Sequence, residues 1–393
     1  MVNERYQQEL YRLLDEKRYR VVTEINPANQ SSFCTIGDGQ EKLINLCSND
    51  YLSLSENASL LDLFYKQGGT DSIDRFKLGA ASSRLLTGSN RYTANLENDL
   101  ARKYGRDASL VFNSGYHANI GILSALSKRK DLILSDKLNH ASLYDGVRLS
   151  QAKGKRYSHN DYDHLEFILK KERINYEEVF VVTESVFSMD GDCADLERLV
   201  MLKHKYDLIL YVDEAHAVGL YGRAGLGKSE EKGLVSEIDL LIGTFGKAFA
   251  SIGAFVICDS VIREYLINHS RSFIFTTALP PVIINWNRFI LDLLHEKMEE
   301  RAHLEELSNR FREELREYKL KTAGTTNIIP VIIGDINKTV DVAAKMQEKG
   351  FLMLPVRPPT VPEGSSRLRL SLTAGLSWND LKAIPFQLAG EIR

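Results

Sequence analysis

The chain has 393 residues, of which 44% are hydrophobic and 26% charged, and its formal net charge is −3 at pH 7. This is the composition of an ordinary globular protein, long enough for two or three domains. The small net charge gives no reason to expect a nucleic acid or an anionic membrane as partner. The sequence contains no run of about 18 apolar residues, so we expect no membrane span.

The cysteines and the first residues indicate the compartment. Cys34, Cys47, Cys193 and Cys258 lie far apart, without a C-x-x-C pair or a metal-ligand spacing. This usage suits a reducing compartment and predicts no metal site. The opening stretch "MVNERYQQELYRLLDEKRYR" is charged and amphipathic and lacks the apolar core of a secretory signal. We therefore expect a cytoplasmic protein.

The predicted elements begin with an amphipathic helix over residues 2–18, followed by a loop-rich segment to about residue 55. From about residue 93, short apolar runs alternate with longer helical segments. The runs predict strands at 108–113, 131–136, 178–185, 208–214, 239–244 and 253–258, with a weaker strand at "KRYSH". Such strands, separated by helices, are typical of a parallel sheet covered on both faces. The sequence therefore predicts a doubly wound α/β domain with a seven-stranded, mostly parallel sheet, whose ligands bind beyond the carboxyl ends of the strands.

The pattern changes after "TTALPP". Residues 282–318 form a long charged helical stretch, followed by strands at "NIIPVIIGD", "FLMLPV" and "RLRLSLTA", with a helix at "TVDVAAKMQEKG". Ser377 and Asp380 have the spacing of an N-terminal cap for the closing helix. We predict an N-terminal helix and loop segment (1–50), a large domain (51–281) and a smaller C-terminal α+β domain (282–393).

Two polar stretches follow strands in the middle of the predicted sheet. Asp213 ends the apolar run "LILYV", where a carboxylate needs a cationic partner, and His216 comes three residues later. A lone D-x-x-H is more often a structural aspartate that caps the next helix. Lys247 of "TFGKAF" follows the strand at 239–244, and a desolvated lysine there can act as a Schiff-base nucleophile. The alternative is a lysine that extends to the surface from a Gly-rich loop.

Three further stretches have ordinary explanations when each is taken alone. "FNSGYHANIG" breaks from strand to helix at Ser114–Gly115, where backbone N–H groups can bind phosphate, Gly115 permits close approach and the Tyr116 ring can pack nearby. His140 follows a strand and precedes a helix, as a capping residue does. Ser188 lies in the turn of "TESVFSMDGD".

Together, the five stretches bring a carboxylate, a lysine amine, a helix start and an imidazole to one edge of the sheet. Pyridoxal 5'-phosphate (PLP) requires such a set. Its aldehyde takes the lysine, its pyridine nitrogen takes the carboxylate, and its phosphate takes backbone donors. The combination therefore predicts a PLP site.

Along essentially its whole length the chain resembles the α-oxoamine synthases, PLP-dependent transferases of fold type I. The resemblance is carried by "VDEAHAVGLYGRAGLG", "TFGKAFASIGAF", "SNDYLSLS", "GAASSRLLTGS" and "TESVFSMDGD". The stretch "VRPPTVPEGSSRLRLSLTA" is most similar to members that condense L-alanine with a pimeloyl thioester of coenzyme A or of a carrier protein. The resemblance also implies a homodimer with shared active sites.

The resemblance assigns the cofactor residues. It implies that Lys247 binds the cofactor aldehyde and moves the substrate's α-proton, and that Asp213 pairs with the pyridine nitrogen. His216 would bond the phenolic oxygen, while His140 would stack on the ring and help to position the thioester. The remaining cofactor contacts would come from Gly115, Tyr116, Ser188 and Thr244.

The resemblance also implies a set of substrate contacts. Arg369 of "RLRLSLT" would hold the amino-acid carboxylate, a bidentate task that suits a guanidinium; its alternative role is a salt bridge on the strand face. Asn49 and Thr360 would contact the substrate. The family's N-terminal substrate arginine has no clean counterpart here, and Arg20 is assigned ahead of Arg18.

Three other functions stay open from the sequence. Another family member, such as one that joins glycine to acetyl-CoA, would share the cofactor residues. An aminotransferase would convert the cofactor to its amine form with alanine alone. A non-catalytic protein with this fold would be expected to lack Lys247 or Asp213, and both are present.

Overall fold

A computed structural model describes residues 2–28, 32–66 and 72–393. Contacts divide the chain into two compact units. The small unit comprises Met1–Glu56, Met189–Asp192 and Ala302–Arg393, and the large unit comprises Asn57–Ser188 and Cys193–Arg301. The N-terminal and C-terminal parts of the chain thus share one unit.

The helices are listed in chain order. They are α1 (Val2–Asp15), α2 (Ala58–Lys66), α3 (Ser72–Arg75), α4 (Arg91–Tyr104), α5 (Gly115–Leu126), α6 (Ala141–Leu149), α7 (Tyr162–Glu172), α8 (Leu196–Tyr206), α9 (Lys228–Glu231), α10 (Ser260–His269), α11 (Arg271–Ile274), α12 (Pro281–Leu293), α13 (Met298–Glu317), α14 (Ile336–Glu348), α15 (Trp378–Leu381) and α16 (Ile384–Ile392). A π-helical turn spans Arg84–Gly88, and 3-10 turns span Arg173–Asn175, Val235–Glu237 and Leu294–Glu296.

The strands belong to three sheets. They are β1 (Ile25–Pro27), β2 (Phe33–Ile36), β3 (Leu43–Asn45), β4 (Ala108–Phe112), β5 (Leu132–Asp136), β6 (Lys153–Tyr157), β7 (Val179–Glu184), β8 (Ile209–Asp213), β9 (Leu240–Thr244), β10 (Ala254–Cys258), β11 (Ile328–Gly334), β12 (Phe351–Leu352), β13 (Pro355–Val356) and β14 (Ser366–Ser371).

The large unit is built on a seven-stranded sheet with the order β4-β10-β9-β8-β7-β5-β6. Only β10 runs antiparallel to its neighbours, β4 and β9, and the other pairs are parallel. Every residue of β5, β7 and β9 is buried, as expected for strands covered on both faces. The predicted α/β fold is confirmed, and the weak strand at "KRYSH" is β6.

The small unit contains two sheets, with the orders β1-β2-β3-β12 and β11-β14-β13. The prediction of loops up to about residue 55 is wrong for β1, β2 and β3. These strands have only three or four residues each, and the burial of β1 and β2 is partial. Strands this short show little alternation of apolar and polar residues. The pairing of β3 with β12, about 300 residues later, is not visible in the local sequence.

The long helical stretch predicted at 282–318 is divided. Helix α12 ends at Leu293, the 3-10 turn Leu294–Glu296 follows, and α13 starts at Met298. The predicted cap at Ser377 is confirmed, because its backbone N–H donates to Asp380 Oδ2 at 2.8 Å. The closing segment is two helices, since Pro385 lies in the first turn of α16, where a proline is tolerated.

Within residues 2–28, 32–66 and 72–393, no helix combines the length and apolarity needed to cross a bilayer.

Candidate active site

The predicted cofactor residues lie at one edge of the large sheet. Strands β5, β7, β8 and β9 are parallel, so their carboxyl ends share that edge. The residues that end these strands or follow them are His140 after β5, Ser188 after β7, Asp213 and His216 at β8, and Thr244 and Lys247 at β9.

Asp213 is the last residue of β8 and only 5% exposed. Its Oδ1 accepts a hydrogen bond from the Ala215 backbone N–H at 2.9 Å, and its Oδ2 accepts one from Asn119 Nδ2 at 2.8 Å. A carboxylate has about four acceptor positions, so Asp213 can accept a further N–H donor.

His140 caps the N-terminus of α6. Its backbone N–H donates to Glu184 Oε1 at 2.6 Å, and its ring Nδ1 lies 2.7 Å from Ser142 Oγ. Although His140 keeps an exposed surface, burial is the largest cause that lowers its pKa; the carboxylate of Asp213 opposes this and the charge of Lys247 adds to it. Burial and, after it, the charge of Lys247 therefore favour the neutral form of the His140 imidazole.

Lys247 lies in the loop between β9 and β10 and is half-buried. The loop is closed by hydrogen bonds from the Phe245 N–H to Gly253 O at 2.9 Å and from the Ala250 N–H to Lys247 O at 2.8 Å. It also approaches the segment after β8 closely, because a Cβ on Gly219 would lie 2.5 Å from Ala248 Cβ. The small residues beside the lysine are therefore needed for this close packing.

Thr244 and His216 are buried, and Ser188 is half-buried. The Thr244 hydroxyl donates to Gly253 O at 2.9 Å and accepts from the Gly246 N–H at 3.1 Å. It thus stabilises the start of the loop that carries Lys247.

The start of α5 has the features of an anion site. The Ser114 side chain caps the helix by accepting from the His117 N–H at 3.2 Å. The first N–H groups of a helix lack intrahelical acceptors. Apart from the chain neighbours of Gly115 and the nearby backbone of α5, no heavy atom of the described residues lies within 4 Å of the position that a Cβ on Gly115 would take. Tyr116 is 45% exposed, and its hydroxyl donates to Asp145 Oδ2 at 2.5 Å.

These observations fit PLP. The buried carboxylate of Asp213 suits a pyridine N–H, the amine of Lys247 suits an aldehyde, and the open helix start at Gly115 suits a phosphate. Lys247 and Asp213 both act electrostatically on His140, so the large unit brings these three side chains together.

Two further residues of this region, Glu184 and Asn119, were not among those predicted from the sequence. Glu184 ends β7 directly beside Asp213, is 3% exposed, and has a pKa raised well above its usual range by burial and, secondarily, by the Asp213 charge. A carboxylate that ends an apolar strand was the signal that identified Asp213, and it applies to Glu184 equally. Asn119 had no such signal, because it is an ordinary polar residue inside a helix.

The small unit brings together two of the predicted substrate residues. Both terminal nitrogens of Arg369, on β14, donate to Asn49 Oδ1, at 3.3 and 3.4 Å. Arg369 also donates to Ser371 Oγ at 2.6 Å. The Tyr51 hydroxyl donates to the same Asn49 oxygen at 3.1 Å, and Tyr51 is fully buried.

The other two predicted substrate residues also pair within the small unit. Arg20 donates to Thr360 Oγ1 at 3.2 Å, and both residues are exposed. Arg18 instead forms ion pairs with Glu16 and Glu363. Arg357, near this pair, was not predicted from the sequence. It donates to Tyr19 O at 2.9 Å, and its pKa is lowered by burial and by the charge of Arg20.

Comparison with known proteins gives consistent matches. A family model described as aminotransferase class I and II matches residues 41–384. The 8-amino-7-oxononanoate synthase of Chlorobaculum parvum is 50% identical over 386 residues, which are 98% of this chain and 97% of that protein. A solved variant of serine palmitoyltransferase from S. paucimobilis with a bound PLP–myriocin aldimine has a TM-score of 0.89 and 25% identity, covering 98% of this chain and 96% of that one. The solved 8-amino-7-oxononanoate synthase of Francisella tularensis has a TM-score of 0.75 and 27% identity, covering 89% and 98%.

Proposed function

Because this chain belongs to the aminotransferase class I and II family and, within it, to the α-oxoamine synthases, we propose that it condenses L-alanine with a pimeloyl thioester. The protein is a PLP-dependent enzyme of the acyltransferase type. The proposed activity is that of an 8-amino-7-oxononanoate synthase, an enzyme of biotin biosynthesis. This choice of substrates rests on the 50% identity with the Chlorobaculum parvum synthase, which extends over 98% of this chain.

The proposed reaction forms one carbon–carbon bond. The α-carbon of alanine loses its proton and attacks the thioester carbonyl carbon, and the C–S bond breaks to release the thiol. The alanine carboxylate then leaves as carbon dioxide, and a proton returns to the α-carbon. The products are 8-amino-7-oxononanoate, carbon dioxide and the thiol of coenzyme A or of a carrier protein.

PLP, when bound, supplies the electron sink that stabilises negative charge at the α-carbon of the amino acid. Lys247 would hold the cofactor through Nζ and, once its amine is released, move the α-proton. Asp213 would keep the pyridine nitrogen protonated, because its buried carboxylate stabilises an adjacent positive charge. His216 would bind the phenolic oxygen, and His140 would contact the cofactor and the incoming thioester.

The remaining assignments concern the phosphate and the substrates. Gly115 and Tyr116 would donate backbone N–H groups to the phosphate at the start of α5. Ser188 and Thr244 would add hydroxyl contacts to the cofactor; the Thr244 hydroxyl already donates its proton to Gly253 O. Its cofactor contact would therefore be as an acceptor, or would require that hydroxyl to turn.

Arg369 and Asn49 would hold the alanine carboxylate. Their shared hydrogen bonds in the small unit place a guanidinium beside a side-chain amide, which supports this assignment. Arg20 and Thr360 would bind the acyl substrate. The involvement of Arg18 in two ion pairs favours Arg20 as the substrate arginine.

The proposal includes a homodimer in the cytoplasm with active sites shared between subunits. Helix α1 supports a second copy, because it exposes four large apolar side chains, Tyr6, Leu10, Tyr11 and Leu14. We also propose the functional division into residues 1–50, a PLP-binding domain at 51–281 and a C-terminal domain at 282–393.

The test is to follow the absorbance of the purified holoenzyme with L-alanine, glycine and L-serine separately, then with pimeloyl-CoA or a pimeloyl carrier protein. We expect alanine to give the largest spectral change and the pimeloyl thioester to give 8-amino-7-oxononanoate, detected by mass spectrometry. A clear preference for glycine with acetyl-CoA would instead assign another α-oxoamine synthase activity. Conversion of the cofactor to its amine form by alanine alone would indicate an aminotransferase.

A further inference from the structure

A buried hydrogen-bonded chain of side chains connects Asp213 to His140. Asn119 Nδ2 lies 2.8 Å from Asp213 Oδ2 and 2.9 Å from Ser142 Oγ. Ser142 Oγ in turn lies 2.7 Å from Nδ1 of His140. Asn119 and Ser142 are each 1% exposed, so solvent does not compete for these bonds.

The direction of each hydrogen bond follows from which atoms can donate. The ionised carboxylate of Asp213 only accepts, so the Asn119 atom that faces it must be the NH2 group. The other side of that amide agrees, because the Tyr211 hydroxyl donates to Asn119 Oδ1 at 2.6 Å. The second N–H of Asn119 then donates to Ser142 Oγ, which leaves the Ser142 proton for Nδ1 of His140. The amide orientation is therefore set by the Asp213 carboxylate, and the Tyr211 hydroxyl, which could donate or accept, is the donor in that orientation.

A second donor confirms the role of Nδ1. The backbone N–H of Ser142, which can only donate, lies 3.3 Å from Nδ1 of His140. Two donors thus face Nδ1, and a proton on that atom would oppose both. The proton of a neutral imidazole is then on Nε2, the other ring nitrogen.

We propose that Asn119 and Ser142 are positioning residues. They link His140 to the Asp213 carboxylate and hold it as the neutral imidazole with its proton on Nε2. In the proposed reaction, this Nε2–H is a fixed donor for the thioester carbonyl oxygen, where negative charge develops. His140 then acts as a hydrogen-bond donor and leaves proton abstraction to Lys247. This inference rests on the proposed function of the site only for the identity of the acceptor.

The charges around His140 agree with this arrangement. Burial of the ring is the largest effect, and it favours the neutral imidazole. The charge of Lys247 also favours the neutral form, whereas the charges of Asp213 and Asp145 oppose it. The net effect lowers the pKa of His140. The Glu184 carboxyl contacts the backbone N–H of His140, not the ring. The hydrogen bonds to Nδ1 then select the tautomer of a ring that is already neutral.

The test uses the full-length holoenzyme without substrate, labelled with 13C and 15N in histidine, and NMR spectra recorded across pH. The His140 signals are identified by their loss in His140→Gln. We expect the Nε2–H tautomer in the wild-type protein. In Ser142→Ala, Nδ1 loses its hydroxyl donor, so the Nδ1–H tautomer becomes populated and the proton affinity of the ring rises about tenfold, as one lost hydrogen bond implies.

The matched control is Ser127→Ala, because the equally buried Ser127 donates to Leu123 O at 2.5 Å, outside this chain of bonds. It should titrate like the wild type. Tyr211→Phe, a milder change, should shift the tautomer ratio in the same direction by less, and serves as the test if Ser142→Ala does not fold. A wild-type Nδ1–H tautomer, or wild-type titration in both Ser142→Ala and Tyr211→Phe, would overturn the proposal.

These spectra require no substrate. A preference for glycine over alanine would overturn the proposed function and leave the tautomer result intact. An unchanged tautomer in the variants of an enzyme that condenses alanine would overturn only this inference.

Discussion

The two regions that carry the predicted residues are built differently. In the large unit, Asp213, Asn119 and Glu184 are at most 5% exposed, and the hydrogen bonds among these residues and His140 are 2.6–2.8 Å long. In the small unit, Arg369 reaches Asn49 at 3.3–3.4 Å. Arg20 and Thr360 are both exposed. The predicted cofactor residues are thus joined by short buried bonds. The predicted substrate residues are joined to each other by longer bonds, although Arg369 also donates to Ser371 Oγ at 2.6 Å.

This difference follows from what each region must recognise. A cofactor that does the same chemistry in every turnover is best held by a preorganised set of groups on strand ends. Substrates enter and leave, so their partners must be accessible and must exchange bonds with the protein for bonds with the ligand. In the proposed function, Asn49 would be such a temporary acceptor for Arg369. Substitutions in the two regions should therefore affect different measurable quantities.

The largest effect is expected for Lys247→Ala in the cofactor region. Loss of the amine removes the covalent attachment of the cofactor and the group that moves the α-proton. A general acid–base residue contributes about 10²- to 10⁴-fold to the rate, so kcat should fall by at least that factor. The absorbance band of the enzyme-bound cofactor should also disappear from the purified variant.

The control for this variant is Lys203→Ala. Lys203 is another half-buried lysine of the large unit, but it pairs with Asp239 at 2.7 Å. Lys203→Ala should keep both the absorbance band and the turnover. Turnover and the absorbance band retained by Lys247→Ala would contradict the assignment.

The second prediction compares two arginines on β14. Arg369→Lys keeps the charge but loses the bidentate fork, so the KM for alanine should rise about 10- to 100-fold, the value of one hydrogen bond to a charged group (about 1.5–3 kcal/mol). Arg367 is 4% exposed and donates to Asp190 Oδ1 at 2.6 Å. Arg367→Lys should therefore lower the free energy of unfolding and change the KM little.

Steady-state kinetics and denaturant unfolding of both variants separate these effects. If Arg369→Lys changes the free energy of unfolding without changing the KM for alanine, the substrate role of Arg369 is contradicted. We expect Arg367→Lys to lower the free energy of unfolding and leave the KM unchanged. Because the two side chains are only two residues apart on the same strand, such a difference would separate a substrate contact from a structural one.

The large unit could be predicted from the sequence because its signals are local. Apolar runs define buried strands, and a polar residue that ends such a run, such as Asp213, must lie at the sheet edge. Lys247 was identified in the same way. Its cofactor then followed from a set of groups at one edge, without knowledge of any distance.

What could not be predicted depends on contacts between distant residues. Asn119 and Asp213 are 94 residues apart, and only the packing of α5 against the sheet brings them together. The partner of strand β3 is still farther away in the sequence, because Ile44 pairs with Phe351 of β12, and β3 was therefore assigned to a loop. The family resemblance implied Arg20 and Thr360 separately as substrate contacts, but it did not predict their hydrogen bond, which spans 340 residues.

The third prediction concerns the buried glutamates of the cofactor region. Burial raises the pKa of Glu184 well above 4.5, the unfolded value, so the folded state keeps a proton that the unfolded state releases. Stability should therefore be fully present below about pH 4.5 and decline as the pH rises toward the folded-state pKa. Glu184→Gln removes this titration and keeps an oxygen for the His140 N–H, so its advantage in free energy of unfolding should grow with pH.

Glu214 is the matched contrast. It is fully buried, but its oxygens accept from Ser185 Oγ at 2.7 Å and from the N–H groups of Lys228 and Ser229 at 2.9 and 2.7 Å. A glutamine would direct an NH2 group at one of these donors, so Glu214→Gln should destabilise by about 1–3 kcal/mol. Thermal unfolding between pH 5 and 8 measures both variants. A constant difference between Glu184→Gln and wild type across this range would contradict the prediction for Glu184.

The smallest effect is expected for native-state alkylation of two cysteines, one in each unit. Burial raises the pKa of Cys47, in the small unit, and of Cys258, in the large unit, to about 12, so both are overwhelmingly protonated thiols in the folded protein at neutral pH. A difference in rate then reports how often each region opens. Cys47 accepts from the Leu354 N–H beside the two-residue strand β12, whereas Cys258 ends a strand paired on both sides and is fully buried.

We therefore expect iodoacetamide to label Cys47 faster than Cys258, with both rates rising with pH because only the thiolate reacts. Peptide mass spectrometry after timed quenching gives the two rates, and Cys47→Ser and Cys258→Ser confirm the assignment of the labelled peptides. Equal rates would mean that the two units open together, as one cooperative structure. In that case, the longer bonds from Arg369 to Asn49 and from Arg20 to Thr360 would be explained by substrate exchange alone. A lower stability of the small unit would not be needed to explain them.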